Sequence, residues 1–135
     1  MAFYRVKKNK LWVIKAIDRA SGKTIAWVTG GRDTQTVKEL YEKIKHCTKA
    51  IFYTDNWDAF AKVLPKNRHV IGKKHTVSIE RNNSNTRYYL GRFNRKTKIV
   101  SKSEYMVNLS LKLWWYICEQ NHFTELIHSF QSYLN

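Results

Sequence analysis

Three runs rich in aromatic and β-branched residues, at 2–7, 11–18 and 23–29, follow one another with only Lys8-Asn9-Lys10 and Ala20-Ser21-Gly22 between them. Separators this short leave a strand room only to reverse on itself, so the front of the chain reads as a three-stranded antiparallel meander. These hairpins supply the antiparallel part of a mixed sheet.

After Gly30-Gly31 the periodicity changes from two to 3.6. Asp33 or Thr36 can cap a helix whose apolar positions are Val37, Leu40, Tyr41, Ile44 and Cys47. Ala50-Ile51-Phe52-Tyr53-Thr54 is a short apolar run read as a buried strand ending in Asp55, and Asn56 can cap a brief helix carrying Trp57 to Val63. Arg68 to Ile71 offers another strand, Gly72-Lys73-Lys74 a basic loop, and a helix is expected from about Val77. Ser101 and Glu104, three apart, match a capping box ahead of Met106, Leu109, Leu113, Tyr116 and Ile117, which reads as a long core-facing helix. Phe123, Leu126, Ile127, Phe130, Tyr133 and Leu134 repeat the pattern as a last helix or a contact surface. The order is that of an α/β chain with an RNase H-like mixed sheet: three antiparallel strands, then strands alternating with helices, and helices on both faces. A length of 135 residues fits one such domain, with 119–135 as a C-terminal helical extension.

Composition bears on the partner. Lys and Arg number 25 against 10 Asp and Glu, a formal net charge of +15. A polyanion of regularly spaced phosphates suits such a surface, because each neutralised phosphate releases condensed counterions. Cys47 and Cys118 have no CxxC spacing and fall among apolar residues, so they read as buried thiols in a reducing compartment rather than zinc ligands. The chain has no secretory leader pattern and no run near the ~20 apolar residues of a membrane span. A cytoplasmic protein working at the nucleoid, with no membrane partner, is the expectation.

With so few acids each can be weighed. Asp55, at the carboxyl end of a strand, sits where open α/β sheets hold ligands, although capping explains it nearly as well. Glu80, Asn83 and Arg87 stand at i, i+3 and i+7 on one face of the expected helix. The acid can hold a metal, the amide can orient a phosphate or water, and the guanidinium can clamp a phosphate. Two carboxylates from different elements, backed by cations, suit two-metal phosphodiester chemistry with Mg²⁺ or Mn²⁺. Arg81, Lys73, Lys74, Arg92, Arg95 and Lys96 are the accompanying candidate DNA contacts.

These residues resemble a known family. Tyr53-Thr54-Asp55-Asn56-Trp57, His69-Val70-Ile71, Ile79-Glu80-Arg81 with Asn83, Asn85 and Arg87, then Gly91-Arg92, Arg95-Lys96-Thr97 and Ser101 to Glu104, are similar to the insertion-sequence-one transposases. The likeness is to the InsB-type catalytic half, within the DDE transposase and integrase superfamily, and it runs from about Phe3 to Asn121. It implies an RNase H-like fold, a divalent metal, and cleavage and transfer of transposon DNA ends by molecules that associate on the DNA. It also implies that Asp55 is the second acid of the triad, Glu80 the third, and Arg87 the basic residue two turns on. Setting Leu11 to Asp18 against the family's second strand places the first aspartate before Met1, so the first strand is expected to lack its start. Asp18 is then a weak third candidate, better explained as a turn former beside Arg19-Ala20-Ser21-Gly22. The rival reading is a truncated, catalytically inactive remnant that keeps the basic, DNA-binding face.

Overall fold

The computed structural model describes residues 4–5, 10–93 and 103–134. They form two compact units, Met1–Lys102 and Ser103–Asn135, the second starting well before the 119–135 extension read from the sequence. Arg95, Lys96 and the Ser101 half of the expected capping box lie outside the described residues.

The first unit is α/β. Its meander consists of β1 (Tyr4–Arg5), β2 (Lys10–Ile17) and β3 (Thr24–Gly30), antiparallel and in that order across the sheet. Tyr4 pairs with Leu11, and Val13 pairs with Thr29, with one irregularity between Ala16 and Ile17. The turn from β2 to β3 is built by Asp18 and by Gly22, whose φ of 69° lies in the left-handed region that favours glycine. Val13 and Val28 are both buried, on opposite faces of the sheet, because Val13 stands opposite Thr29 and Val28 opposite Ile14.

Helix α1 (Thr34–Ile44) packs on β2 and β3 and buries Val37, Leu40 and Ile44, the spacing expected from the sequence. Its cap is Asp33, which accepts from the Thr36 amide (2.8 Å) and the Thr36 hydroxyl (3.0 Å), so Thr36 supports the cap instead of forming it. Gly30 makes the entry possible, since a Cβ there would stand 2.7 Å from the Thr36 hydroxyl. Truncating Leu40, 5% exposed, to Ala would cost about 2–5 kcal/mol.

Strands β4 (Phe52–Thr54) and β5 (His69–Ile71) form a separate parallel pair, with Phe52 opposite His69 and Thr54 opposite Ile71. Between them lies α2 (Asp58–Val63), packed against α1. Its N-cap is Trp57, which makes no capping hydrogen bond, so Asn56 does not cap this helix. The β4 run is less buried than expected: Thr54 is covered, while Ile51 stays 54% exposed. Ile51 lies just ahead of the strand, outside its ladder. Helix α3 (Val77–Tyr89) follows a short 3₁₀ turn at Lys73–His75.

The second unit holds α4 (Glu104–Trp114), continued by a π-helical segment at Trp115–Glu119, and α5 (Phe123–Leu134). Ser103 caps α4 by accepting from the Met106 amide, in place of Ser101. The face of α4 read as core is the exposed one. Val107, Leu111 and Trp114 are buried, while Met106, Leu109, Leu113 and Tyr116 are 41–57% exposed. Two apolar stripes run along this helix, and periodicity alone cannot choose between them. Cys118 is exposed, contrary to the buried thiol expected, and Cys47 is half-buried. No helix among the described residues is long and apolar enough to cross a membrane.

Candidate active-site cleft

The parallel pair ends by delivering Asp55 to its carboxyl edge. The Gly72 amide donates to the Thr54 carbonyl (2.9 Å), extending the ladder one step past the strands. The Thr54 hydroxyl bonds the Asp55 carbonyl at 2.9 Å and lies 2.7 Å from His69 Nε2. These bonds fix the backbone around Asp55 and leave its carboxylate exposed.

Glu80 arrives on the first turn of α3, and α3 has to be held against the meander. The helix is only weakly amphipathic, and polar groups dock it. Asn82, 6% exposed, donates from Nδ2 to the Gly22 carbonyl (3.2 Å) and the Thr24 hydroxyl (3.3 Å). Lys15 on β2 donates to Asn82 Oδ1 (3.0 Å) and to Thr86 Oγ1 (2.5 Å), and the Thr86 hydroxyl donates to the Asn82 carbonyl. Asn82 and Thr86, at i and i+4, are thus the docking edge of α3. Buried amides and an ammonium with this many partners are satisfied, and removing one would strand the others.

Docked this way, α3 turns Glu80 and Asn83 toward β4. Asp55, Glu80 and Asn83 line a single cleft of about 550 Å³, with Lys15, Arg32, Lys73 and Gly72 on its walls. Trp12 and Trp57 line it too, and the Arg32 guanidinium lies over both indoles, 4.9 and 5.3 Å from the ring centres. Among the described residues neither the Asp55 nor the Glu80 carboxylate accepts a hydrogen bond. The cleft holds two open carboxylates, an amide oxygen and cations, a hard-oxygen donor set of the kind Mg²⁺ takes.

Other candidates lie elsewhere. Asp18 does not line this cleft. Its carboxylate accepts from the Ser21 hydroxyl (2.6 Å), the Ser21 amide (3.0 Å) and the Ala20 amide (3.3 Å). Those bonds, the Ser21 hydroxyl foremost, hold it below the usual carboxylate range. Arg87, half-buried, is absent from the cleft lining although it is on the face predicted to carry Glu80. Lys74 and Arg81 are exposed and Arg92 half-buried, also outside the lining. Among the described residues no three of His, Cys, Asp and Glu converge as a metal cluster. Lys15, Trp12 and Arg32 escaped the sequence reading. The one signal they gave was a lysine at an otherwise apolar strand position.

The comparisons with known proteins bear on the same stretch. Residues 1–124 match the family model described as IS1 transposase. The chain is 34% identical over 97 residues to an insertion element IS1 InsB protein of Shigella flexneri, covering 72% of this chain and 74% of the relative. It is 35% identical over 97 residues to an IS1 InsB protein of Escherichia coli K12, where it spans 58% of that relative's length. To the iso-IS1n InsB protein of Shigella dysenteriae it is 30% identical over 102 residues, 76% of this chain and 78% of the relative. No solved structure matches. With a family model covering nearly the whole chain, and relatives of this identity, the chain belongs to the IS1 transposase family.

Proposed function

We propose that this chain is a DDE-type catalytic domain that cleaves and transfers DNA strands with a divalent metal, Mg²⁺ or Mn²⁺. The observation that carries the reading is the convergence of Asp55 and Glu80, 25 positions apart in sequence, on one cleft whose walls are cationic. Family membership supports a transposase role, and the antiparallel and parallel strand pieces are the two parts an RNase H-like sheet would join. In this reading Asp55 and Glu80 hold the metal, which when bound stabilises charge on the attacking and leaving oxygens of the phosphodiester. Asn83 orients the phosphate or the attacking water. Lys15, with Asn82 and Thr86 as its anchors, keeps Glu80 facing Asp55. Lys73, Lys74, Arg81, Arg87 and Arg92 draw the DNA backbone in, and Arg95 and Lys96 extend the same basic run.

The test is cleavage of duplexes carrying the element's own ends, with Mg²⁺ or Mn²⁺. The chain should cleave, and Asp55→Asn or Glu80→Gln should lower the rate by more than about 100-fold, the upper end for disturbing a metal's outer shell alone. Metal-dependent cleavage undiminished in both variants would refute the assignment. A second reading, a DNA-binding remnant without turnover, is favoured by the lack of a three-membered acidic cluster among the described residues. Binding without cleavage, and no heat of metal binding by calorimetry, would decide for it. Both readings expect DNA affinity with little sequence preference that falls steeply with salt, given the charge of +15.

A further inference from the structure

Trp12 on β2 pairs with Gly30, the last residue of β3, and Gly30-Gly31 then lead into α1 without a side chain between. Arg32, the next residue, comes to lie over the Trp12 ring, its guanidinium 4.9 Å from the ring centre. The same guanidinium is 5.3 Å from the ring centre of Trp57, which stands two residues past Asp55 at the start of α2. Phe60 braces Trp57 through a T-shaped contact at 5.1 Å. Strand β2, the β3–α1 turn and the lead-in to α2 thus bring two indoles and a cation to the wall of the cleft that holds Asp55 and Glu80.

This cluster is not a core contact. Both indoles are half-buried and Arg32 is exposed. The adjacent Asp33 carboxylate is taken by Thr36, and among the described residues no carboxylate pairs with Arg32. A guanidinium resting on rings at an exposed site is held weakly, so a ligand that stacks better can take its seat. The ligand has to be planar, and it has to belong with the anionic backbone that Lys15, Arg32 and Lys73 attract to the same walls. A nucleobase meets both conditions, since every base has a π-face that stacks on an aromatic side chain. Inside a duplex the neighbouring bases cover that face, so only an unpaired base can present it.

We propose that Trp12, Arg32 and Trp57 form a stacking subsite for one unpaired nucleobase of the DNA strand bound in the cleft. The base takes the place of the guanidinium against the indoles, and Arg32 turns to a neighbouring phosphate. Stacking reads no base edges, so the subsite selects for the unpaired state and not for sequence. The proposal rests on the reading of the cleft as a DNA site and adds the form in which the strand is held, locally single-stranded.

The experiment measures binding of the full chain, in EDTA, to a labelled duplex with a short single-stranded overhang and to the same duplex with the overhang made abasic. The two probes carry the same phosphates, so the salt-dependent part of the affinity cancels between them. The base-bearing overhang should bind about tenfold tighter, the scale of one base stacked on an aromatic side chain. Trp12→Ala and Trp57→Ala should each erase most of that ratio, and Trp57→Phe should keep part of it. Trp27→Phe, outside the cleft lining, should leave it intact. Equal affinity of the wild-type chain for the two overhangs overturns the subsite, because the indoles then serve only to carry Arg32 to a phosphate. A ratio that survives both alanine variants overturns it as well, by placing the stacking elsewhere. Neither result touches metal-dependent cleavage by Asp55 and Glu80, while an intact ratio without such cleavage would sink the catalytic reading alone.

Discussion

Two aspartates in this molecule each follow the last residue of a strand, and they have opposite fates. Asp18, after β2, has both carboxylate oxygens taken by Ser21 and Ala20 inside a tight reversal closed by the Gly22 amide on its own carbonyl (2.8 Å). Asp55, after β4, is held by backbone bonds and by Thr54, and its carboxylate opens into a cleft shared with Glu80. The difference lies in what comes next. A hairpin turns back within four residues, so local amides and hydroxyls capture the acid. A parallel strand must cross over to reach its neighbour, and the chain leaves before it can satisfy the side chain. Position at a strand end is therefore not enough to mark a ligand site.

Neutralising each acid in turn separates the two fates. In the cleavage assay, Asp55→Asn should lose more than about 100-fold in rate, while Asp18→Asn should stay within about threefold, as expected of a residue remote from the chemistry. Equal losses would mean that the two turns are one site.

The cleft depends on the docking of α3, which carries Glu80 on its first turn. Asn82→Ala should destabilise the fold by about 2 kcal/mol in urea, because the Gly22 carbonyl, Thr24 and Lys15 all lose a partner. It should also lower cleavage although Asn82 lies outside the cleft lining. Unchanged stability would show that the polar edge is not what holds the helix.

Asp18→Ala should cost about 1 kcal/mol, in the range of a lost cap or turn hydrogen bond. Asp55→Ala should cost less than about 0.5 kcal/mol, or even stabilise, because its carboxylate accepts no hydrogen bond among the described residues. Chemical denaturation of the pair gives the answer, and a larger cost at Asp55 would reverse the assignment of roles.

The smallest effect is a pH dependence next to Asp55. Burial holds the His69 pKa below its ordinary value, so the folded chain favours the neutral ring. The unfolded chain then binds the proton more readily, and the stability contribution is full above the unfolded value of ~6.5 and lost as pH falls through the folded one. Melting followed between pH 7.5 and 5 should show a fall of a few °C at most that His69→Gln removes. Persistence of the whole fall in His69→Gln would assign it to other groups.

Much of this was legible without coordinates. The meander, the α1 face of Val37, Leu40 and Ile44, and the start of α3 at Val77 followed from separator length and periodicity, which are local properties. The same holds for Asp55 after its strand and Glu80 on a first helical turn. Where the reading left a choice open or missed, competing local answers were equally good. Asp33 and Thr36 could each cap α1, Ser101 and Ser103 could each cap α4, and both apolar stripes of α4 obeyed one period.

Element order, the excess of positive charge and its near-absence after Ser103 are sums and periods along the chain, and the amino-acid order alone fixes them. Which aspartate was left open, which α4 stripe was buried, and that Lys15 fastens α3 through Asn82 and Thr86, 67 and 71 positions away, were settled by packing. Those outcomes depend on which groups meet across the fold. A polar side chain takes whatever partner the packing brings within hydrogen-bonding distance, and no local pattern records that partner in advance.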